Sequence, residues 1–176
     1  KVFVMACNTA PAAAVHVVRE RWPDLPVVGM EPGLKPAAAA SRSGSVAVLA
    51  TRSTLQSAKF SALRQAIASQ HPGLTVRAIP CDGLAGAIEA GNAPLAETLA
   101  ARYLDEAGPL GRGPGETDVV VLGCTHYPFV LDALRRHAPP GVGFIDTGAP
   151  VARQTRRMLA EHGLLRPFDA NRCADV

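Results

Sequence analysis

Aromatic side chains are scarce: Phe, Trp and Tyr together make up 5% of the 176 residues. Charge of one sign is equally thin, since 18 Lys and Arg against 15 Asp and Glu leave a net +3. The paired arginines, Arg135 with Arg136 and Arg156 with Arg157, fall in stretches of helical periodicity, where solvated helix faces account for them. A nucleic-acid surface needs a clustered basic stripe interleaved with aromatics, and this composition excludes one. No apolar run approaches the roughly 18 residues of a membrane span, and no signal-peptide pattern opens the chain, so the sequence reads as cytosolic. Low-complexity segments are absent. The four cysteines, at 7, 81, 124 and 173, are too scattered for a local metal motif, and a cytosolic setting argues against disulfides.

What is there is ordinary for a globular chain, with 48% hydrophobic and 19% charged residues. Short β-branched runs alternate with Ala-rich helical stretches. Strands are predicted at 2–6, 27–30, 46–51, 75–79, 118–122 and 143–146, and helices at 11–21, 36–41, 54–69, 83–90, 93–106, 128–137 and 150–162. This alternation implies right-handed βαβ units with parallel sheets covered on both faces, an α/β class. The stretch 108–115 is an exposed Gly- and Pro-rich connection, and the tail from 166 carries no clear element. The chain opens directly on an apolar run, Val2 to Ala6. A buried parallel strand seldom forms the extreme edge of a fold, so sequence preceding Lys1 is expected.

The most informative pattern is internal. VFVMACNTAP and VVVLGCTHYP each combine an apolar strand, a small residue (Ala6 or Gly123), a cysteine and a proline four residues beyond it, at a constant offset of 117 residues. Each proline opens a helical pattern, where its missing N–H goes unmissed. In open α/β sheets, ligands gather at the carboxyl ends of parallel strands, and both Cys7 and Cys124 fall there. A helix start favours negative charge, so these thiols are expected to ionise more readily than the free value of about 8.5. A thiolate is both base and nucleophile. Asn8, Thr9 and Thr125 offer donors suited to a carboxylate, and His126 stands two residues from Cys124, where an imidazole can pass a proton. Any helper for Cys7 must come from elsewhere.

A lone free cysteine is more often packing than chemistry, but two at equivalent strand ends with polar neighbours reverse that balance. Cys81 lacks the polar company, and Cys173 lies in the tail. His16, His71, His137 and His162 belong to helix faces or ends, where solvated or capping histidines are usual.

Ala6-Cys7-Asn8-Thr9-Ala10 and Leu122-Gly123-Cys124-Thr125-His126-Tyr127-Pro128 resemble the two signature segments of glutamate racemases. Supporting similarity runs through Glu31-Pro32-Gly33, Lys35-Pro36-Ala37, Ala50-Thr51 with Thr54, Cys81 with Glu89-Ala90-Gly91, and Ile145-Asp146-Thr147-Gly148. The resemblance implies two similar parallel-sheet α/β domains related by pseudo-symmetry, with residues 1–32 and 147–176 in a first, incomplete domain and 33–146 in the second. It implies interconversion of L- and D-glutamate for peptidoglycan, with neither pyridoxal phosphate nor metal. Cys7 would act on the D enantiomer and Cys124 on the L, with Asn8, Thr9, Thr125 and His126 binding substrate and His126 also assisting Cys124.

Two departures stand against the family pattern. An Asp-Ser-Gly loop and a Pro-Tyr-Gly loop, the first bearing the usual helper for Cys7, are not found, so the 176-residue chain is expected to be feeble or inactive. Asp82 and Gly86 also stand where prolines are typical. An aspartate racemase of the same superfamily and a catalytically silent binding module are the alternatives. A cysteine hydrolase built on Cys124 and His126 is disfavoured because no orienting third group is evident. The oligomeric state is open, a homodimer included.

Overall fold

The computed structural model describes residues 1–166; Cys173 and the rest of the tail lie outside them. Two parallel sheets organise the chain. The larger has the order β4-β3-β5-β6, formed by β3 (Ser45–Ala50), β4 (Thr75–Pro80), β5 (Val119–Leu122) and β6 (Gly143–Ile145). Its central strands read SVAVLA and VVVL and are buried throughout. That is the near-continuous apolar pattern expected of parallel strands covered on both faces. The register sets Val46 opposite Val119 and Leu49 opposite Leu122.

Alternate residues of these strands serve two cores. Val46, Val48 and Val121 pack with Leu34 and Ala37 of α2 (Leu34–Ala40) and with Phe60, Leu63 and Ile67 of α4 (Ala58–Gln70). Ala47, Leu49, Val120 and Leu122 face the other way. They meet α5 (Leu84–Glu89), α6 (Ala93–Glu106) and α7 (Leu131–His137) through Leu84, Ala100, Leu104 and Leu134.

The smaller sheet pairs β1 (Phe3–Met5) with β2 (Val27–Gly29) across α1 (Ala10–Arg21). Val27 and Val28 are buried, but Phe3 and Val4 are 43% and 36% exposed. Among the described residues β1 has a partner on one side only, which leaves these two side chains in solvent. The final helix, α8 (Gly148–Glu161), lies against β2 with none of its residues fully buried. At the end of α1 stands Trp22, half-exposed, with the Arg21 guanidinium 5.4 Å from its ring.

The chain passes between the two sheets at residues 30–33 and 146–148. Gly33 has no room for a side chain, since a Cβ there would lie 2.9 Å from Cγ2 of Ile145. Lys59 Nζ donates to the Met30 carbonyl at 2.9 Å, and Lys35 pairs with Glu31 at 3.1 Å.

All six predicted strands form, within one or two residues of their expected ends. Two predicted helices divide. The 54–69 stretch splits into α3 (Arg52–Gln56) and α4 because Ser57 adopts an extended conformation and its hydroxyl caps Phe60 N–H. The 128–137 stretch opens as a 3-10 turn, Tyr127–Val130, before α7 begins. Among the described residues no helix is long and apolar enough to cross a membrane.

Candidate active site

Cys7 lies two residues beyond β1 and Cys124 two residues beyond β5, both partly buried. The residues flanking them meet directly. Asn8, only 5% exposed, donates from Nδ2 to the Gly123 carbonyl at 2.8 Å, so the residue after Cys7 touches the residue before Cys124. The Oδ1 atom of Asn8 is buried and has no hydrogen-bond partner among the described residues.

Gly123 is required by close packing. A Cβ at this position would fall 2.8 Å from Ala50 Cβ and 2.9 Å from the Leu49 carbonyl, which itself accepts the Gly123 N–H at 2.7 Å. Only glycine lets β5 run this close to β3.

Cys124 has a relay beside it. Its Sγ lies 3.5 Å from His126 Nδ1, and His126 Nε2 lies 2.7 Å from a carboxylate oxygen of Glu89 at the end of α5. With Nε2–H directed at the carboxylate, Nδ1 is left to exchange a proton with sulfur. Glu89 is the orienting group that local spacing did not reveal. It lies 37 residues from His126, and only the packing of α5 on the 3-10 turn joins them.

The expectation of easy ionisation does not hold for Cys124. Burial pushes its thiol up, and the charges of Cys7 and Glu89 add to that, against the lowering effect of the His126 and Thr125 N–H groups. The element that follows is a four-residue 3-10 turn rather than a regular α-helix, so the favourable dipole at this corner is short.

Thr9 joins a cluster of three hydroxyls, 2.9 Å from Thr54 Oγ1 and 3.2 Å from Thr51 Oγ1, with those two 2.9 Å apart. Thr51 caps α3 at the carboxyl end of β3. This places a patch of hydroxyl donors from two distant segments next to the Cys7 loop. Thr125 and Cys124 open onto a groove of about 580 Å³ whose other walls include Val4, Met30 and Arg156.

The β4–α5 loop, where Asp82 departs from the family pattern, is held by both tyrosines of the chain. Tyr127 donates to the Cys81 carbonyl at 3.3 Å and Tyr103 to the Asp82 carbonyl at 2.6 Å, while Asp82 forms an ion pair with Arg52. Cys81 itself is sealed, with its thiol pushed up to about 12 by burial, which leaves it unreactive near neutral pH. Among the described residues, no three His, Cys, Asp or Glu side chains gather as metal ligands. His71 and His162 occupy helix C-terminal caps, and His137 lies 3.9 Å from Glu97.

Comparison with known proteins agrees with this geometry. The Asp/Glu/Hydantoin racemase family model matches residues 1–155. The glutamate racemase of Ectopseudomonas mendocina is 51% identical over 98% of this chain, and that of Pseudomonas syringae pv. tomato is 50% identical over 94%. The chain spans 64% and 58% of their respective lengths. Among solved structures, Escherichia coli glutamate racemase, in complex with L-glutamate and the activator UDP-MurNAc-Ala, superimposes with a TM-score of 0.75 at 32% identity, over 89% of this chain and 57% of that one. The Francisella tularensis glutamate racemase complex with D-glutamate gives 0.72 at 25% identity, over 96% and 60%. The match over most of its length, together with the duplicated cysteine corners, makes this chain a member of the Asp/Glu/Hydantoin racemase family.

Proposed function

We propose that this chain forms the two-cysteine site of a racemase that interconverts L- and D-glutamate, with Cys7 and Cys124 acting as bases on opposite faces of the α-carbon. The observation that carries the reading is the Asn8–Gly123 bond, which brings together the residues next to each cysteine. The two cysteines would act as one thiolate and one thiol, the pairing that proton exchange through a planar intermediate needs.

In the D-to-L direction the Cys7 thiolate takes the α-proton, leaving a carbanion delocalised into the α-carboxylate. Cys124 delivers its S–H proton to the other face, which leaves Cys7 as the thiol and Cys124 as the thiolate, and His126 Nδ1, unprotonated while Nε2–H faces Glu89, takes the Cys124 proton when that sulfur has to start as the base. The reverse direction exchanges the roles. The hydroxyls of Thr9, Thr51 and Thr54, with Thr125, suit the substrate's carboxylates, and the unpartnered Oδ1 of Asn8 suits its ammonium. Both enantiomers of glutamate occur in the solved relatives, which supports glutamate over aspartate. In this reading residues 1–32 and 147–176 form one domain and 33–146 the other. The enzyme works in the cytoplasm, supplies D-glutamate for peptidoglycan, and is compatible with a homodimer.

The test is solvent exchange. The chain at high concentration in deuterium oxide incorporates deuterium at the α-carbon of either glutamate enantiomer, read by mass spectrometry, with inversion followed by circular dichroism. Cys7→Ala and Cys124→Ala each lower racemisation by more than about 10³-fold, as expected for loss of a base that acts directly on substrate. Faster exchange on aspartate makes the substrate aspartate. No exchange on either amino acid, with both thiols inert near neutral pH, makes the chain a silent binding module.

A further inference from the structure

The geometry points to Asn8 as a positioning residue that sets the gap between the two thiols through the bond from its amide nitrogen to Gly123, a role separate from any contact its oxygen makes with substrate; this rests on the two-cysteine reading above. Among the described residues no ladder joins the two sheets: β1 pairs with β2, and the other four strands pair among themselves. Besides the connections at 30–33 and 146–148, the separation of Cys7 from Cys124 is therefore set by side chains that cross between the sheets. Two such ties leave the Cys7 loop, Asn8 to Gly123 and Thr9 to the Thr51–Thr54 pair. Only the first is fully buried, and only it ends one residue from each sulfur.

Gly123 is fixed from both sides. Its N–H is bound by the Leu49 carbonyl at 2.7 Å, and its carbonyl receives Asn8 Nδ2 at 2.8 Å. That carbonyl belongs to the planar peptide unit whose nitrogen is the backbone nitrogen of Cys124, so holding it fixes the direction in which the cysteine leaves the strand. The orientation of the Asn8 amide follows from the same contact, because the reversed group would set oxygen against oxygen. A hydrophobic residue of similar volume fills the space of Asn8 but leaves the Gly123 carbonyl without its donor, and the cysteine loops then drift relative to each other.

A short homobifunctional maleimide reads this gap without any substrate. In the chain carrying Cys173→Ser, with Cys81 sealed in the core, the reagent bridges Cys7 to Cys124, and intact mass separates the bridged product from the doubly mono-labelled one. Asn8→Leu lowers the ratio of bridged to mono-labelled product about fivefold, the factor equivalent to one neutral hydrogen bond. The alkylation rate of each thiol with a monofunctional reagent stays as in the parent. Asn8→Ala gives the same direction and serves if Asn8→Leu fails to fold by circular dichroism. An unchanged ratio in a folded variant overturns the proposal, as does the absence of bridging in the parent. Bridging needs no turnover, so its failure is separate from failure of the racemase reading, which is decided by deuterium exchange in the unmodified chain.

Discussion

Cys7 and Cys124 stand at the same step of the same local pattern, each two residues past a parallel strand, and their surroundings differ at almost every other point. β5 lies between β3 and β6 and is buried along its length, whereas β1 leaves Phe3 and Val4 in solvent. The small residue before Cys124 must be glycine because β3 is in contact with it; the one before Cys7 is Ala6, which is exposed. Cys124 has His126 and Glu89 at hand, while among the described residues Cys7 has no hydrogen-bonded imidazole or carboxylate. The strand-Cys-turn pattern thus decides where a thiol is placed. The position of its strand in the sheet decides how dry the thiol is and which helpers reach it.

The comparison breaks first on stability. Leu49→Ala, at a fully buried position of the larger sheet, costs about 3 kcal/mol, whereas Val4→Ala on the exposed strand stays within about 0.5 kcal/mol. Urea denaturation of the two variants measures this, and equal losses would contradict the contrast between the sheets. The next largest effect lies at the matched small residues. Gly123→Ala forces a methyl group against Ala50 and the Leu49 carbonyl and costs about 2 kcal/mol, whereas Ala6→Gly costs less than about 1 kcal/mol.

Smaller again, and specific to chemistry, is Glu89→Gln. If the proposed two-cysteine reaction holds, losing the carboxylate that orients His126 lowers turnover about tenfold in the direction that begins at Cys124. The same variant moves the pH dependence of Cys124 alkylation in a definite direction. A neighbouring negative charge disfavours the thiolate, so its removal shifts the midpoint to lower pH. A midpoint that stays put or rises would mean that Glu89 does not act on this sulfur.

Much of this was legible in the residues themselves. The six strands follow from β-branched runs such as VVVL and SVAVLA, and the two corners follow from the repeated cysteine and proline spacing. What local patterns did not carry were features fixed by distant partners. The break at Ser57 depends on a serine using its hydroxyl as a cap in the middle of an apparently continuous helix. The role of Glu89 depends on α5 meeting the turn after Cys124, and the exposure of β1 depends on which strands pair with it. The raised thiol of Cys124 has the same origin, because burial by neighbouring elements outweighs the short helical start that follows it in the sequence.

The aromatic residues divide between the two halves in a way that makes each half separately observable. The only tryptophan, Trp22, closes the helix between β1 and β2, half in water, while both tyrosines are buried against the β4–α5 loop of the larger sheet. Indole emission excited at long wavelength therefore follows the smaller half alone, and phenol absorbance follows the larger. Any melting experiment on this chain carries two independent optical reporters, and a difference between their midpoints would measure how far the halves unfold as one.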